Sequence, residues 1–170
     1  MFHWIEVRTF CYATEEEERV LAALRTVTPE IEPRRETREG YFGNPLVVLT
    51  ARAEDAPTQR AVWARIVAAL GTDEILRGIE DRLDEDGIYH LRFDKQNAYL
   101  GRIEIAKMPD VIAFRAKVAA FPKRRENLVA ALKAAVGGRW TTVTACTVPR
   151  PREARHSSEP PPHPTHSVRG

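Results

Sequence analysis

The sequence predicts an α+β fold, with a mixed, mainly antiparallel sheet and helices packed on one of its faces. Alternating stretches rich in aromatic and β-branched residues recur along the chain at 2–12, 46–52, 88–95 and 111–121. Several join through short turns such as Gly43-Asn44-Pro45 and Asp86-Gly87, which favours antiparallel neighbours. Amphipathic helical stretches interrupt them and supply the covering layer. With 170 residues, 43% hydrophobic and 29% charged, the chain has room for one packed domain and an appendage.

The first strand, Phe2 to Tyr12, is expected to carry Phe2, Trp4 and Phe10 on one face. Thr14-Glu15-Glu16-Glu17 reads as a capping box for a helix with Val20, Leu21, Leu24 and Val27 inward and Pro29 as its stop. Residues 31–38 are strand-like but charged, as an edge would be, and Leu46 to Arg52 is a clearer strand. Asp55 and Pro57 open a second helix, with Val62, Trp63, Ile66, Val67 and Leu70 on its apolar face and Gly71 at its end. A short helical piece is expected within Thr72 to Leu83, then a strand from Ile88 to Lys95 with Tyr89, Leu91 and Phe93 inward. Two further strands follow, Arg102 to Lys107 and Val111 to Phe121, and Pro122 starts a last helix that Gly137-Gly138 ends. Trp140 to Val148 is one more candidate strand.

Residues 1–138 form the expected domain. Residues 139–170 hold six of the twelve prolines and few apolar side chains, and read as a disordered Pro-rich tail. The net charge of +2 divides into +3 on that tail and −1 on the domain, so the overall basicity is poor support for a nucleic-acid partner. Inside the domain the charge is segregated, −5 over residues 73–86 against +6 over residues 88–133. Glu6 and Arg8 interrupt any signal-peptide core, and no apolar run is long enough for a membrane span. Cys11 and Cys146 lack metal-ligand spacing, consistent with a cytoplasmic, reducing setting.

Phosphate-cradling glycine motifs, His-Glu-x-x-His, Cys-x-x-Cys and the Gly-x-Ser-x-Gly elbow do not occur, so no catalytic residue, metal or cofactor is assigned. Asp84-Glu85-Asp86-Gly87 is out of register for a calcium loop and reads as an acidic turn. His156, His163 and His166 read as incidental tail residues. Lys123, Arg124 and Arg125 stand at the start of the last helix, where cations oppose the dipole unless an anion compensates; a solvated patch is the alternative. Arg115 and Lys117 share a strand face, and Arg92 and Arg102 point the same way if the register is as read, making a basic face that could track phosphates. The same charges could instead be paired with Asp94 and Glu104. Tyr41, Phe42 and Tyr99 are loop aromatics, suited either to stacking on bases or to anchoring their loops.

The blocks FHWIEVRTFCYATEEEERVLAAL, EGYFGNPLVVLTAR, DGIYHLRFDKQNAYLG and VIAFRAKVAAFPKRRENLVAAL, in that order, resemble an archaeal family of RNA-binding proteins linked to the exosome, with a ribosomal protein L5-like fold. The resemblance spans residues 2 to about 136. It implies a non-enzymatic, cytoplasmic protein whose partner is RNA, associated with exosome or ribosome components. Asn44, Arg92, Asp94, Lys95, Gln96, Arg115, Lys117 and Lys123 to Arg125 carry over as RNA-facing positions. Arg102 joins them from the basic face, while acidic residues 15–18 and 73–86 are expected to face away. A protein-interaction adaptor, docking a basic partner through an edge strand or the 73–86 segment, is the competing reading. An enzyme using Asp84 and Asp86 ranks below both.

Overall fold

The computed structural model describes residues 2–40 and 43–137. The tail, the candidate strand at 140–148, Tyr41, Phe42 and Cys146 lie outside the described residues. Five strands, β1 (Phe2–Tyr12), β2 (Arg34–Glu39), β3 (Pro45–Ala53), β4 (Ile88–Asp94) and β5 (Val111–Val118), form one sheet in the order β2-β3-β1-β5-β4. Every pairing is antiparallel. The helices are α1 (Glu17–Val27), α2 (Ala56–Leu70), α3 (Thr72–Leu76), α4 (Lys95–Tyr99) and α5 (Arg125–Val136).

Period-two alternation divides the sheet into two faces. Ile5, Val7, Leu49, Ala51, Tyr89, Leu91, Phe93, Ile112, Phe114 and Ala116 are buried on one of them. The helices bring matching stripes to the core, Val20, Ala23, Leu24 and Val27 from α1 and Val62, Trp63 and Ile66 from α2, spaced three and four residues apart. Trp63 is the centre of this core: its ring lies 5.2 Å from Phe2, 6.0 Å from Tyr89 and 6.1 Å from Phe114. Its indole N–H donates to the Ala135 carbonyl at 3.3 Å, which ties α5 to α2 and satisfies the one polar atom that Trp buries.

The Asp55 carboxylate accepts from Thr58 N at 2.9 Å, Pro57 occupies the first turn and Gly71 ends α2 at φ 82°, all as the residues foretold. Four local expectations are corrected. The register of β1 against β5 shifts between Phe2 and Trp4, so Phe2 turns into the core while Trp4 and Phe10 stay on the opposite face. The capping box at 14–17 does not form: Glu16 precedes the helix without a side-chain cap, and Glu15 turns back to Tyr12 N at 2.9 Å. Residues 102–107 make no strand; after α4 they touch the β4 edge through Asp94 N to Glu104 O and Ala106 N to Arg92 O. The last helix starts at Arg125 rather than at Pro122.

Candidate nucleic-acid interface

The face of the sheet turned away from the helices is built from alternate residues of all five strands. The register places Arg34, Thr50, Arg8, Ala113 and Arg92 opposite one another, in a row that crosses β2, β3, β1, β5 and β4. Neighbouring strands lie about 4.8 Å apart, so the three arginines recur roughly every 10 Å along a line perpendicular to the strands. Among the described residues none of the three meets a carboxylate. Arg8 instead stacks its guanidinium over the Phe10 ring at 5.7 Å.

The next row holds Arg52, Glu6, Arg115 and His90. Glu6 receives Arg52 and Arg115, each at 3.4 Å. Their guanidiniums also lie over the ring of Trp4, at 4.7 and 5.7 Å, so the indole lies beside two cations that share Glu6. Arg52 is held more closely by Glu54, at 2.9 Å, so two carboxylates balance the two guanidiniums here. Lys117, opposite Trp4, directs its ammonium to the Asp86 carbonyl. His90 Nε2 sits 2.9 Å from Asp84 Oδ2. Partial burial pushes the Asp84 carboxyl up, but the bonds from His90 and from Ile88 N outweigh it and hold the group below the usual aspartate range.

On the far side of the arginine row, Phe10 and Tyr12 are 37% and 52% exposed, large values for aromatic side chains on a central strand. The β2–β3–β1 side of the face is dished into a depression of about 580 Å³, lined by Arg8, Arg34, Arg38 and Arg52 and, in equal number, by Glu6, Glu32, Glu36 and Glu54. Glu36 and Arg38 pair at 2.9 Å at its rim. Among the described residues the face therefore offers a row of three arginines without a carboxylate partner, exposed rings and no covering helix, the combination by which a sheet tracks a phosphate chain and stacks bases.

Of the residues expected to face RNA, Arg92, Arg115 and Lys117 fall on this face. Lys95 does not. It begins α4 and is 3% exposed, and its ammonium reaches Glu15 at 2.9 Å, Asp110 at 2.5 Å and the Phe10 carbonyl at 2.9 Å. Burial alone would lower its pKa, yet the bonds to Asp110 and Glu15 prevail and raise it above the ordinary lysine value. Arg102 is likewise off the face, because its segment is a loop: it donates to Asn97 Oδ1 at 3.2 Å and lies 3.9 Å from Glu104. Arg125 caps the 77–83 turn through the Glu80 carbonyl at 2.6 Å and the Leu83 carbonyl at 3.4 Å, leaving Lys123 and Arg124 exposed ahead of α5. Gln96 is exposed on α4, beside a cleft of about 250 Å³ that Lys95 and Tyr99 also line. Asn44 closes the β2–β3 hairpin by accepting Gly40 N at 2.8 Å through its carbonyl. Acidic residues engage neighbouring cations: Glu17 holds Arg35 and Glu74 holds Arg77 and Arg82. The sequence reading missed Arg8 and Arg34. The available signal was parity: Arg8 shares its face with Trp4 and Phe10.

Residues 4–118 match the protein family described as RNA binding. An RNA-binding protein of Pyrococcus abyssi is 40% identical over 141 residues, spanning 77% of this chain and 91% of that protein. Two DUF54 proteins of known structure share the fold. The one from Methanothermobacter thermautotrophicus superposes with a TM-score of 0.68 at 38% identity, over 80% of this chain and 98% of that one. The one from Archaeoglobus fulgidus gives 0.70 at 32% identity, over 76% and 96%.

Proposed function

Because this chain belongs to the RNA-binding family that its residues 4–118 match, we propose that it is a non-catalytic RNA-binding protein whose RNA lies across the open face of the sheet. The observation that carries this reading is the row Arg34, Arg8 and Arg92, three cations that meet no carboxylate among the described residues, beside exposed Phe10 and Tyr12. Desolvating an unpaired guanidinium against a phosphate gives a charge-assisted bond with no internal ion pair to break first. Arg115 and Lys117 add charge at one flank, and Trp4, Phe10 and Tyr12 present rings to unpaired bases. In this reading residues 1–138 are the binding unit. Lys123 and Arg124 are peripheral contacts, and Lys95, Arg102 and Arg125 serve the fold. Association with exosome or ribosome components, which the resemblance implies, would run through RNA held in common and be lost on nuclease treatment.

Fluorescence anisotropy with a labelled single-stranded RNA tests the proposal. The logarithm of affinity should fall linearly with the logarithm of salt, and Arg8→Ala, Arg34→Ala and Arg92→Ala should each flatten the slope by about 0.7. Salt-independent binding, or slopes that the three substitutions leave unchanged, would place the RNA elsewhere.

A further inference from the structure

Strand β2 forms one border of the sheet, and among the described residues no strand lies beyond it. All six of its residues are exposed. The phase of its ladder follows from one bond in the hairpin: Gly40 N donates to Asn44 O at 2.8 Å, so residues 40 and 44 are a hydrogen-bonded pair. Counting back along the register, Arg38↔Leu46, Glu36↔Val48 and Arg34↔Thr50 are hydrogen-bonded pairs too. Arg35, Thr37 and Glu39 therefore turn their backbone N–H and C=O groups outward, away from β3.

A second copy of this strand can add antiparallel only where outward-turned residues meet outward-turned residues. Every register centred on a residue of the strand satisfies that, and all except the one centred on Thr37 set a charged residue against its own copy. Centring on Glu36 opposes Glu36 to Glu36 and Arg34 to Arg38, and centring on Arg38 opposes Arg38 to Arg38. Both bring like charges together. Centring on Thr37 opposes Arg35 to Glu39, Glu36 to Arg38 and Thr37 to itself, so every charged pair between Arg35 and Glu39 is complementary. Charges on an edge strand ordinarily block pairing. Here they block the two neighbouring registers and favour the one between them.

We propose that β2 is a self-association edge, at which two copies of this chain join antiparallel about Thr37 into one continuous sheet. The two outward pairs Arg35–Glu39 and the Thr37 pair would exchange about six backbone hydrogen bonds. Glu36 and Arg38, already 2.9 Å apart within one chain, would close an alternating ring of four charges with their counterparts across the axis. Arg35 keeps its bidentate hold on Glu17, at 2.6 and 3.1 Å, which fixes it on the helix side of the strand. The two-fold axis stands perpendicular to the sheet, so the open faces of both copies point the same way. Since the ladder replaces solvated groups, the association is weak and concentration-dependent.

Sedimentation equilibrium of the full chain without RNA, from roughly 10 μM to 1 mM, tests this directly. Wild type should show a monomer–dimer equilibrium. Thr37→Pro removes an outward donor and leaves the β3 pairing intact, and it should abolish dimer while circular dichroism stays unchanged. Arg38→Glu and Glu36→Arg should each weaken self-association about tenfold or more, because like charges then face each other across the axis. Mixed in equal amounts, those two variants should pair with each other, since every cross-axis contact at 36 and 38 becomes opposite in sign. A wild type that stays monomeric at the highest concentration overturns the proposal, including the case where this chain's own residues cover the edge. So does a Thr37→Pro variant that dimerises as wild type does, or a mixture that fails to form the heterodimer.

Discussion

Lys95 separates an RNA-facing role from a structural one, because the two make opposite predictions for Lys95→Ala. The ammonium spends all three of its donors inside the protein, on the Phe10 carbonyl, Glu15 and Asp110, and its side chain is 4% exposed. Removing one partner of a fully buried ion pair costs about 3–5 kcal/mol. Glu15 and Asp110 are 21% and 38% exposed, so water can reach the carboxylates left behind, and the expected loss is smaller, about 2–3 kcal/mol. For a domain of this size that is a drop in Tm of roughly 6–12 °C. Urea denaturation at pH 7 measures it, with the slope against denaturant expected to stay constant. The folded pKa of Lys95 is raised, so its contribution is fully present below about pH 10.4, the unfolded value, and is lost as pH rises through the folded value. Wild type and variant should therefore differ by a constant amount from neutral pH to about pH 10 and converge only above it. RNA affinity, measured where both are folded, should be unchanged. A stability loss under about 0.5 kcal/mol together with weaker RNA binding would refute the structural role.

Phe10→Ala should lower RNA affinity by about 1–3 kcal/mol for the base it stacks and, with the residue 37% exposed, cost about 1–2 kcal/mol of stability, whereas Phe121→Ala, 98% exposed and off the sheet, should change neither; equal effects of the two on affinity would discount stacking on the open face. Asp84→Ala should destabilise by no more than about 1 kcal/mol at neutral pH, its partial exposure being allowed for. Because the folded pKa of Asp84 is depressed, that contribution is present above about pH 3.9 and disappears as pH falls through the folded value. Thermal melts of the two proteins should thus draw together in acid, and a gap independent of pH would contradict the bonds to His90 and Ile88. Gly87 sits at φ 76° with Leu128 Cδ1 3.1 Å from where a methyl would go, so Gly87→Ala should cost about 1–3 kcal/mol in urea denaturation; a neutral result would show that α5 can shift to make room.

Much of the architecture was legible because local chemistry and tertiary packing agree. Asp55, Pro57 and Gly71 bound α2 within a residue of the expected limits, and Tyr89, Leu91 and Phe93 lie inward on β4 as their alternation requires. Where local signals failed, a distant partner had won. Residues 14–17 match a capping pattern, but Glu17 is taken by Arg35 of β2 and Glu15 is drawn to Lys95, which follows β4 far along the chain. Residues 102–107 alternate like a strand, yet only Ile105 bridges to Phe93, and the β4 edge is met by a loop. Arg125 reads as one of three clustered cations until the 77–83 turn is folded beneath it and its guanidinium finds two carbonyls.

Within each regular stretch of strand the sequence by itself determined which residues share a face, since side chains alternate whatever the strand pairs with; the irregularity after Phe2 and the loop that holds Arg102 broke that rule. Alternation was enough to align Arg115 with Lys117 and to put Arg92 opposite the buried Phe93. What only the tertiary structure decided is the order of the strands. The order β2-β3-β1-β5-β4 makes β1 central and sets Arg8 between Arg34 and Arg92, cations drawn from three separate stretches of chain. The same order leaves β2 at the border with its outward backbone groups unpaired by any other described strand. Alternation is a local property of the backbone, whereas neighbourhood across a sheet depends on which long-range pairings bury the apolar face, and that choice is made by the core around Trp63.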